Sequence, residues 1–426
     1  MSAIATIKKN YPFIVIKKLI IASALVGVLS SFLAIALKKI TEHYETLFFF
    51  KASNYTVLYF LFPLIGLTII FFLRLYLFKN KENKGITEIF ESTKSKTKNL
   101  PVYKIPSHFI NGFFTVIFGG STGIEVSTVV ATATIGSVAQ QKGNFLKKYK
   151  TDLICAGVAA GITILFNSPI AGILFALEVI SRKVSRTFLF TTIVSVVVAT
   201  LLLFVIDDQA LFSMTITTWN YYALPYFILL GILAGINSVF LTKTVIFIKS
   251  QFKRITNSYH KIFLGTIIIG ICILFFPTLY GDGYHGIKEI IVHPNTTFTF
   301  SFFISVIGIL VLKPVITSVT LASGGDGGVF APSLVIGASL GFLTATVLNT
   351  FFHANVIPIN FIIIGMAAVL SASIHAPFTA LFLICGVIND YTLFFPILMV
   401  CLVSKYSAKF IFPHTVYSFP VKLAQS

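Results

Sequence analysis

The sequence predicts an all-α, polytopic membrane protein, built as a single domain over residues 1–426 from two repeats of tilted and broken helices. Three observations support this prediction. Of the 426 residues, 56% are hydrophobic and only 11% are charged, and the mean hydropathy is +0.93. The apolar residues form long stretches separated by short basic loops. Two blocks of the first half also recur, in the same order, in the second half.

The composition excludes a water-soluble domain, which has roughly twice this charged fraction. Lipid must therefore face most of the surface. The net charge of +18 comes from lysines and arginines clustered in short loops, as the positive-inside rule expects, so we predict no nucleic-acid partner. We also predict no metal or cofactor, since the four cysteines are isolated and form no C-x-x-C pair.

The apolar stretches do not match a simple series of single spans, because each spanning helix needs about 20 residues. They run at about 11–37, 56–78, 107–140, 152–181, 187–206, 222–249, 261–280, 300–322, 329–350, 356–388 and 392–412. Several are too long for one helix and too short for two, which predicts interrupted helices whose ends face protein or a water-lined cavity. The sequence ends soon after the last stretch, and we expect an integral, multi-pass protein of a bacterial inner (cell) membrane without a cytosolic regulatory domain.

Two pairs of matching blocks define the repeat, whose halves we place at about 56–206 and 222–412. The segment GVAAGITILFNSPIAGILFALEV, from Gly157, matches GMAAVLSASIHAPFTALFLICGV, from Gly365. The segment GGSTGIEVS, from Gly119, matches GGDGGVFAP, from Gly324. Repeats with interrupted helices in corresponding positions point to a binding site near the bilayer midplane of a transporter.

The glycine-rich blocks predict an anion site. Each lies just before an apolar helical run and so exposes backbone N–H groups at a helix N-terminus, where the helix dipole is positive. The two N-termini fall at 123–127 and 328–332. Such ends bind anions without a full positive charge. Two of them facing each other would bind a dehydrated anion weakly enough to release it, as conduction requires.

These blocks resemble signatures of the CLC family of chloride channels and proton-coupled chloride exchangers. The run GVFAP at 328–332 resembles the family's G-x-F-A-P, and GIEVS at 123–127 occupies the place of its G-[K/R]-E-G-P. NSPIAGILFALE, from Asn167, and SIHAP, from Ser373, are similar to two further family motifs. The similarity covers roughly residues 80 to 420. It implies a lipid-embedded, all-helical protein with an inverted repeat, normally a homodimer with one anion pathway per subunit.

Glu125 is the principal candidate residue, because an ionisable side chain beside an intramembrane anion site is a functional hypothesis by default. Its carboxylate can compete with a bound anion, and protonation would end that competition. The resemblance implies that Glu125 is the gating glutamate; a structural helix-capping acid is the alternative.

The other candidate residues bind the anion. The resemblance implies that Val329 and Phe330 offer backbone N–H groups and that Tyr417 offers its phenolic O–H, which is a good donor to anions. A membrane-interface tyrosine is the alternative for Tyr417. The remaining candidates are Gly123, Ile124 and Val126 at the first N-terminus, together with Lys84 in the block 83–87, which corresponds to the family's G-S-G-I-P.

Three departures from the family pattern bear on the mechanism. Lys84 stands where the family has a serine that donates to the anion. Its ammonium group would attract anions more strongly, unless it extends to the cytosolic mouth instead. The run 124–127 lacks the family's basic residue, second glycine and proline. Val179 replaces the internal glutamate that passes protons on in well-coupled exchangers, and Glu178 beside it is expected to be structural.

The sequence favours passive, channel-like chloride transport gated by Glu125, because a proton needs a titratable relay to cross an apolar interior and no second acid occurs at the expected place. Proton-coupled exchange of chloride or another small anion is the alternative, since water can carry the proton. A family member that no longer conducts is a second alternative, motivated by Lys84 and the altered 124–127 run.

An intramembrane hydrolase is a further class to consider, because His108, His375 and several serines lie in or beside apolar runs. No G-x-S-x-G or H-E-x-x-H motif accompanies them. We therefore predict that the protein is not an enzyme. The spacing between His375 and its nearest serine distinguishes the two classes.

Overall fold

The fold is taken from a computed structural model, which describes residues 2–81, 83–95, 97–142, 146–206, 211–212, 216, 218–294 and 299–418. Across these residues the regular structure is helical, and one isolated bridge between two glycine turns is the sole β-type pairing. The predicted all-α class is therefore confirmed.

The helices that follow are numbered in chain order. They are α1 (Ser2–Asn54), α2 (Leu58–Phe72), α3 (Ile86–Lys94), α4 (Lys104–Ile117), α5 (Glu125–Gln141), α6 (Lys150–Phe166), α7 (Pro169–Phe175), α8 (Arg186–Ile206), α9 (Leu224–Lys253), α10 (Ser258–Phe275), α11 (Tyr284–Val292), α12 (Phe300–Ala322), α13 (Phe330–Phe352), α14 (Pro358–Ile374), α15 (Pro377–Ile388) and α16 (Phe394–Ile411). Short 3-10 or π-helical turns extend or connect several of them.

Nine helices of the described segments are long and apolar enough to cross a membrane. Other apolar helices are shorter, and the three at Pro169–Ser181, Pro358–Ile374 and Pro377–Ile388 all begin with proline. Proline suits a helix start because its missing N–H has no partner there in any case. A 12-residue helix spans about 18 Å, well short of the roughly 30 Å hydrocarbon layer. The predicted broken helices are thus present.

The repeat appears as two matching helix pairs, since α5 packs against α6 and α13 packs against α14. Glycine permits both crossings. A Cβ atom on Gly157 of α6 would overlap the carbonyl oxygen of Thr132, and one on Gly365 of α14 would overlap that of Gly337. These backbones touch because α6 and α14 each present a glycine at the point of contact, as in small-residue packing in membranes.

The two halves also join beside the short helices. Helix α7 contacts α15, and Ser168 Oγ, just before α7, donates a 2.7 Å hydrogen bond to the carbonyl oxygen of Phe382 in α15. One continuous cluster of buried apolar residues extends from Ala52 to Tyr417. The glycine turns before α5 and α13 lie inside this shared core. Each turn contains buried residues, and the helix that follows it begins with buried residues.

Candidate functional site

The glycine turns before α5 and α13 meet directly. Gly123 and Gly328 form an antiparallel β-bridge. Thr122 Oγ1 adds a 2.8 Å hydrogen bond to the carbonyl oxygen of Gly328. Helix α5 begins immediately after Ile124, and α13 begins immediately after Val329, so both N-termini lie at this bridge. The prediction that helix N-termini follow the two glycine blocks is confirmed.

A third helix N-terminus approaches the same place. Gly85 precedes the first residue of α3 and has a φ of +62°, a backbone conformation that glycine adopts without steric cost. A Cβ atom on Gly85 would lie 3.4 Å from Val126, and one on Gly328 would overlap the same valine side chain. Val126 is therefore packed between the turns that precede α3 and α13.

Tyr417 completes this cluster from the C-terminal part of the chain. Its hydroxyl accepts a long, 3.4 Å hydrogen bond from the backbone N–H of Val329. The same hydroxyl would lie 3.1 Å from a Cβ atom on Gly328. The structure thus brings Tyr417 and Val329 together, and an anion placed here would find an O–H donor beside free helix-end amides.

Phe330 contributes its backbone to the site and its side chain to the core. It is the first residue of α13, so its N–H is one of those without an intrahelical partner. The ring is fully buried and packs against Phe175 of α7 with centroids 5.6 Å apart. This contact holds the α13 N-terminus against the broken helix of the first repeat.

Glu125 lies at the centre of the arrangement and is 3% exposed. Its carboxylate folds back over the preceding turn so closely that a Cβ atom on Gly123 would overlap it. Tyr284 Oη donates a 2.7 Å hydrogen bond to Oε1. Oε2 is buried without a hydrogen-bond partner among the described residues. The carboxylate therefore occupies the helix-end position that suits an anion.

Lys84 is placed away from this centre. The residue is exposed, and it lines a surface cleft together with Glu88, Tyr103 and Lys104. Its backbone N–H donates a 2.5 Å hydrogen bond to Glu88 Oε1. This position fits the alternative in which the ammonium group extends to the pathway mouth.

Glu178 and Val179 follow helix α7, the short helix of the first repeat. One is a structural acid and the other is an apolar residue. Val179 is buried. Oε2 of Glu178 accepts hydrogen bonds of 2.7 Å from both the backbone N–H and the Oγ1 of Thr379, in the first turn of α15. Glu178 thus satisfies a helix N-terminus of the opposite repeat.

The histidines named in the sequence do not form a hydrolytic dyad. His375 ends α14 in a left-handed conformation, and no hydrogen bond joins it to a serine in the described segments. Nδ1 of His108 lies 2.9 Å from Oδ2 of Asp326.

Sequence reasoning missed several residues around Glu125. Tyr284 is the one that contacts it, and it begins α11 directly after the turn Gly281-Asp282-Gly283. That turn is another glycine-containing block before a helix, so its pattern could have indicated a further helix N-terminus at the site. Lys313, fully buried inside apolar α12, was another, because intramembrane charges are functional hypotheses by default.

Three converging helix N-termini, a phenol and a buried carboxylate lie together inside a membrane-embedded helical core, an arrangement suited to the transport of small anions. Comparison with known sequences agrees: the sequence model of the family described as "Voltage gated chloride channel" matches residues 65–409. The chain belongs to this family, the CLC proteins, and is an integral, multi-pass membrane protein.

The relatives include proteins named as chloride channels and proteins named as exchange transporters. The chain is 27% identical over 308 residues to the voltage-gated ClC-type chloride channel ClcB of Salmonella typhi, covering 71% of this chain and 72% of ClcB. It is 27% identical over 334 residues to the H(+)/Cl(-) exchange transporter ClcA of Vibrio parahaemolyticus, covering 74% of this chain and 68% of ClcA. Such bacterial relatives fit the predicted inner-membrane location.

Solved structures share the fold. A slow cyanobacterial Cl-/H+ antiporter superposes with a TM-score of 0.81 at 23% identity, over 96% of this chain and 98% of the antiporter. A CLC-type fluoride/proton antiporter superposes with a TM-score of 0.76 at 24% identity, over 94% and 96% of the two chains.

Proposed function

We propose that the protein is a proton-coupled anion exchanger, with chloride as the default anion and Glu125 as the group that exchanges with it. The observation that carries this proposal is the position of the Glu125 carboxylate, folded over the α5 N-terminus beside the Gly123–Gly328 bridge. An anion can occupy this place only after the carboxylate has left it. The relative named as an exchange transporter supports the coupled alternative over the passive one that the sequence favoured.

The proposed cycle follows from charge and geometry. The deprotonated carboxylate is itself an anion and is stabilised by the helix ends and by Tyr284 Oη. Protonation of Glu125 removes that charge, so the helix ends stabilise the side chain less and an anion replaces it. Anion entry is thereby linked to the binding of one proton. No enzymatic step is part of this proposal.

Substitution of Glu125 by glutamine tests the proposal in reconstituted liposomes. For the unmodified protein we expect a chloride gradient to drive protons uphill, and the chloride flux to increase as the pH falls. Glu125→Gln should abolish proton movement and make the anion flux independent of pH, because the amide cannot titrate. Chloride and proton fluxes are recorded together with ion-selective and pH electrodes.

A glutamate outside the site provides the control. Glu91 lies near the surface and pairs with Lys98 at 3.5 Å, so Glu91→Gln should leave both fluxes unchanged. Chloride flux without any proton movement in the unmodified protein would reject coupled exchange and restore passive conduction.

The same vesicles identify the anion and test the non-conducting alternative. Efflux of chloride, fluoride, nitrate and bicarbonate is compared under one gradient. Efflux of none of the four would indicate a family member that no longer conducts.

A further inference from the structure

A chain of polar side chains leads from the surface cleft beside Lys84 into the protein. It begins at Glu88, whose side chain is 11% exposed. Oε1 of Glu88 accepts a 2.8 Å hydrogen bond from Lys104 Nζ, which also donates to Asn83 Oδ1 at 3.1 Å. Both Glu88 and Lys104 line the cleft, so water reaches this end of the chain.

The chain continues to a buried acid and a buried imidazole. Asn83 Nδ2 donates a 2.6 Å hydrogen bond to Asp326 Oδ2, and the same oxygen lies 2.9 Å from His108 Nδ1. The His108 side chain is 0% exposed, and that of Asp326 is 5% exposed. Asp326 is two residues before Gly328, so this pair adjoins the glycine turn of the anion site.

Beyond His108, three buried polar atoms have no hydrogen-bond partner in the described part of the chain: His108 Nε2, Asn111 Oδ1 and Ser127 Oγ. His108 and Asn111 are one turn apart on α4. The next residue, Gly112, lies against Ser127, whose Oγ would be 2.6 Å from a Cβ atom there. Buried polar atoms without protein partners are ordinarily satisfied by water. Ser127 is in the first turn of α5, which begins at Glu125, and these unpartnered atoms form a polar seam along α4 that ends at this turn.

Charged groups from several elements surround the pair. Arg74, which follows α2, donates a 2.9 Å hydrogen bond to the carbonyl oxygen of Gly324 and acts electrostatically on Asp326. Lys249 of α9 also acts on Asp326. With Lys104 of α4 and Glu88 of α3, this gives three cations and two acids around the imidazole. Asp326 is the acid in contact with the imidazole, so its negative charge stabilises a protonated His108.

We propose that His108, held by Asp326, is the internal proton station of this protein and replaces the acid that is absent at Val179. The proposal rests on proton-coupled exchange as the proposed function. Nδ1 of His108 makes the 2.9 Å ion-pair contact with Asp326, so Nε2, which has no hydrogen-bond partner among the described residues, is the nitrogen that exchanges the proton. A hydronium ion that enters from the Glu88 end gives its proton to Nε2, so that imidazolium forms and water remains. Nε2 then returns the proton to a water of the seam, which delivers it to Glu125. Imidazole suits this role because one ring nitrogen can accept a proton while the other keeps its hydrogen.

The test measures chloride and proton fluxes of His108→Gln in proteoliposomes, with a potassium gradient and valinomycin setting the voltage. We expect the proton-to-chloride ratio to fall about tenfold or more, as for loss of a proton-transfer group, while chloride flux stays within about threefold of the unmodified protein. Asp326→Asn, a change at a positioning residue, should keep proton transport but shift its pH profile. His375→Asn is the matched control, because that histidine lies outside the seam and asparagine tolerates its left-handed backbone.

The outcomes separate this proposal from the proposed function. A coupled unmodified protein whose ratio is unchanged in His108→Gln overturns the His108 station and leaves exchange intact. A parallel fall of both fluxes assigns His108 a structural role and overturns it as well. An unmodified protein that moves no protons overturns both proposals. If His108→Gln does not yield monodisperse protein, an unshifted pH profile of Asp326→Asn overturns the station.

Discussion

At the scale of single residues, the position of one carboxylate determines what the site can do. Glu125 occupies helix-end positions built from glycine turns that are far apart in the sequence, and a tyrosine from another turn donates a side-chain hydrogen bond to it. The identity of Glu125 was predictable, because it follows a glycine block that recurs. Its partner Tyr284 was not, because the contact depends on how α11 packs and not on spacing along the chain.

Removal of the Tyr284 hydroxyl should release the gate. Hydrogen bonds to charged groups contribute about 1.5–3 kcal/mol, so Tyr284→Phe should let the Glu125 carboxylate leave its position more often. We expect chloride flux at neutral pH to rise by about tenfold to a hundredfold, as measured by efflux from liposomes. The proton-to-chloride ratio should remain, because Glu125 still titrates.

A second buried tyrosine provides the comparison. Tyr280 Oη donates a 2.6 Å hydrogen bond to the carbonyl oxygen of Ile117 and does not contact Glu125. Tyr280→Phe should reduce thermal stability without raising the flux. Equal increases in both variants would show that the effect is general loosening of the fold.

At the scale of helices, the sequence predicted the starts better than the partners. The glycine blocks marked the N-termini of α5 and α13 because the backbone requirements of glycine are local. The position of the turn before α3 was less accessible, since the motif there has Lys84 in place of a small residue. The structure shows why lysine is tolerated: the side chain extends to the cleft, and the adjacent Gly85 provides the close approach to Val126.

A substitution of Glu178 tests whether this acid stabilises the fold or takes part in proton transport. Its two hydrogen bonds to Thr379 connect the first repeat to the start of α15. Glu178→Gln should therefore lower the thermal stability in detergent, because an amide oxygen is a weaker acceptor than a carboxylate. The proton-to-chloride ratio should stay the same.

Thr379→Ser is the matched control for that interaction, because it keeps both donors and should retain stability. A Glu178→Gln protein of normal stability that has lost proton coupling would instead assign Glu178 to the proton route.

At the scale of the whole molecule, the composition was sufficient to predict the membrane class, and the internal repeat was sufficient to predict the two-part architecture. The residues of the anion site come from both halves of one chain, including Gly85, Gly123, Gly328 and Tyr417. A site completed within one chain fits one pathway per subunit. The homodimer and the extent of the domain stay predictions, because both concern surfaces rather than the core.

Subunit counting tests the homodimer. Single fluorescently labelled protein in sparse vesicles should bleach in two steps. Purified mixed dimers of unmodified and Glu125→Gln subunits should move protons at about half the full rate, because each pathway then acts alone. Predominant single-step bleaching would contradict the dimer.

The bridge between Gly123 and Gly328 has a consequence for turnover. It joins the two repeats by backbone contacts at the proposed anion site. Transporters that rock one repeat against the other must separate the halves at their binding site, and here that would dismantle the site itself. The cycle is therefore confined to small displacements of side chains and water around a fixed frame. Rotamer changes occur far faster than domain motions, so the proposed cycle does not require the opening of a hinge.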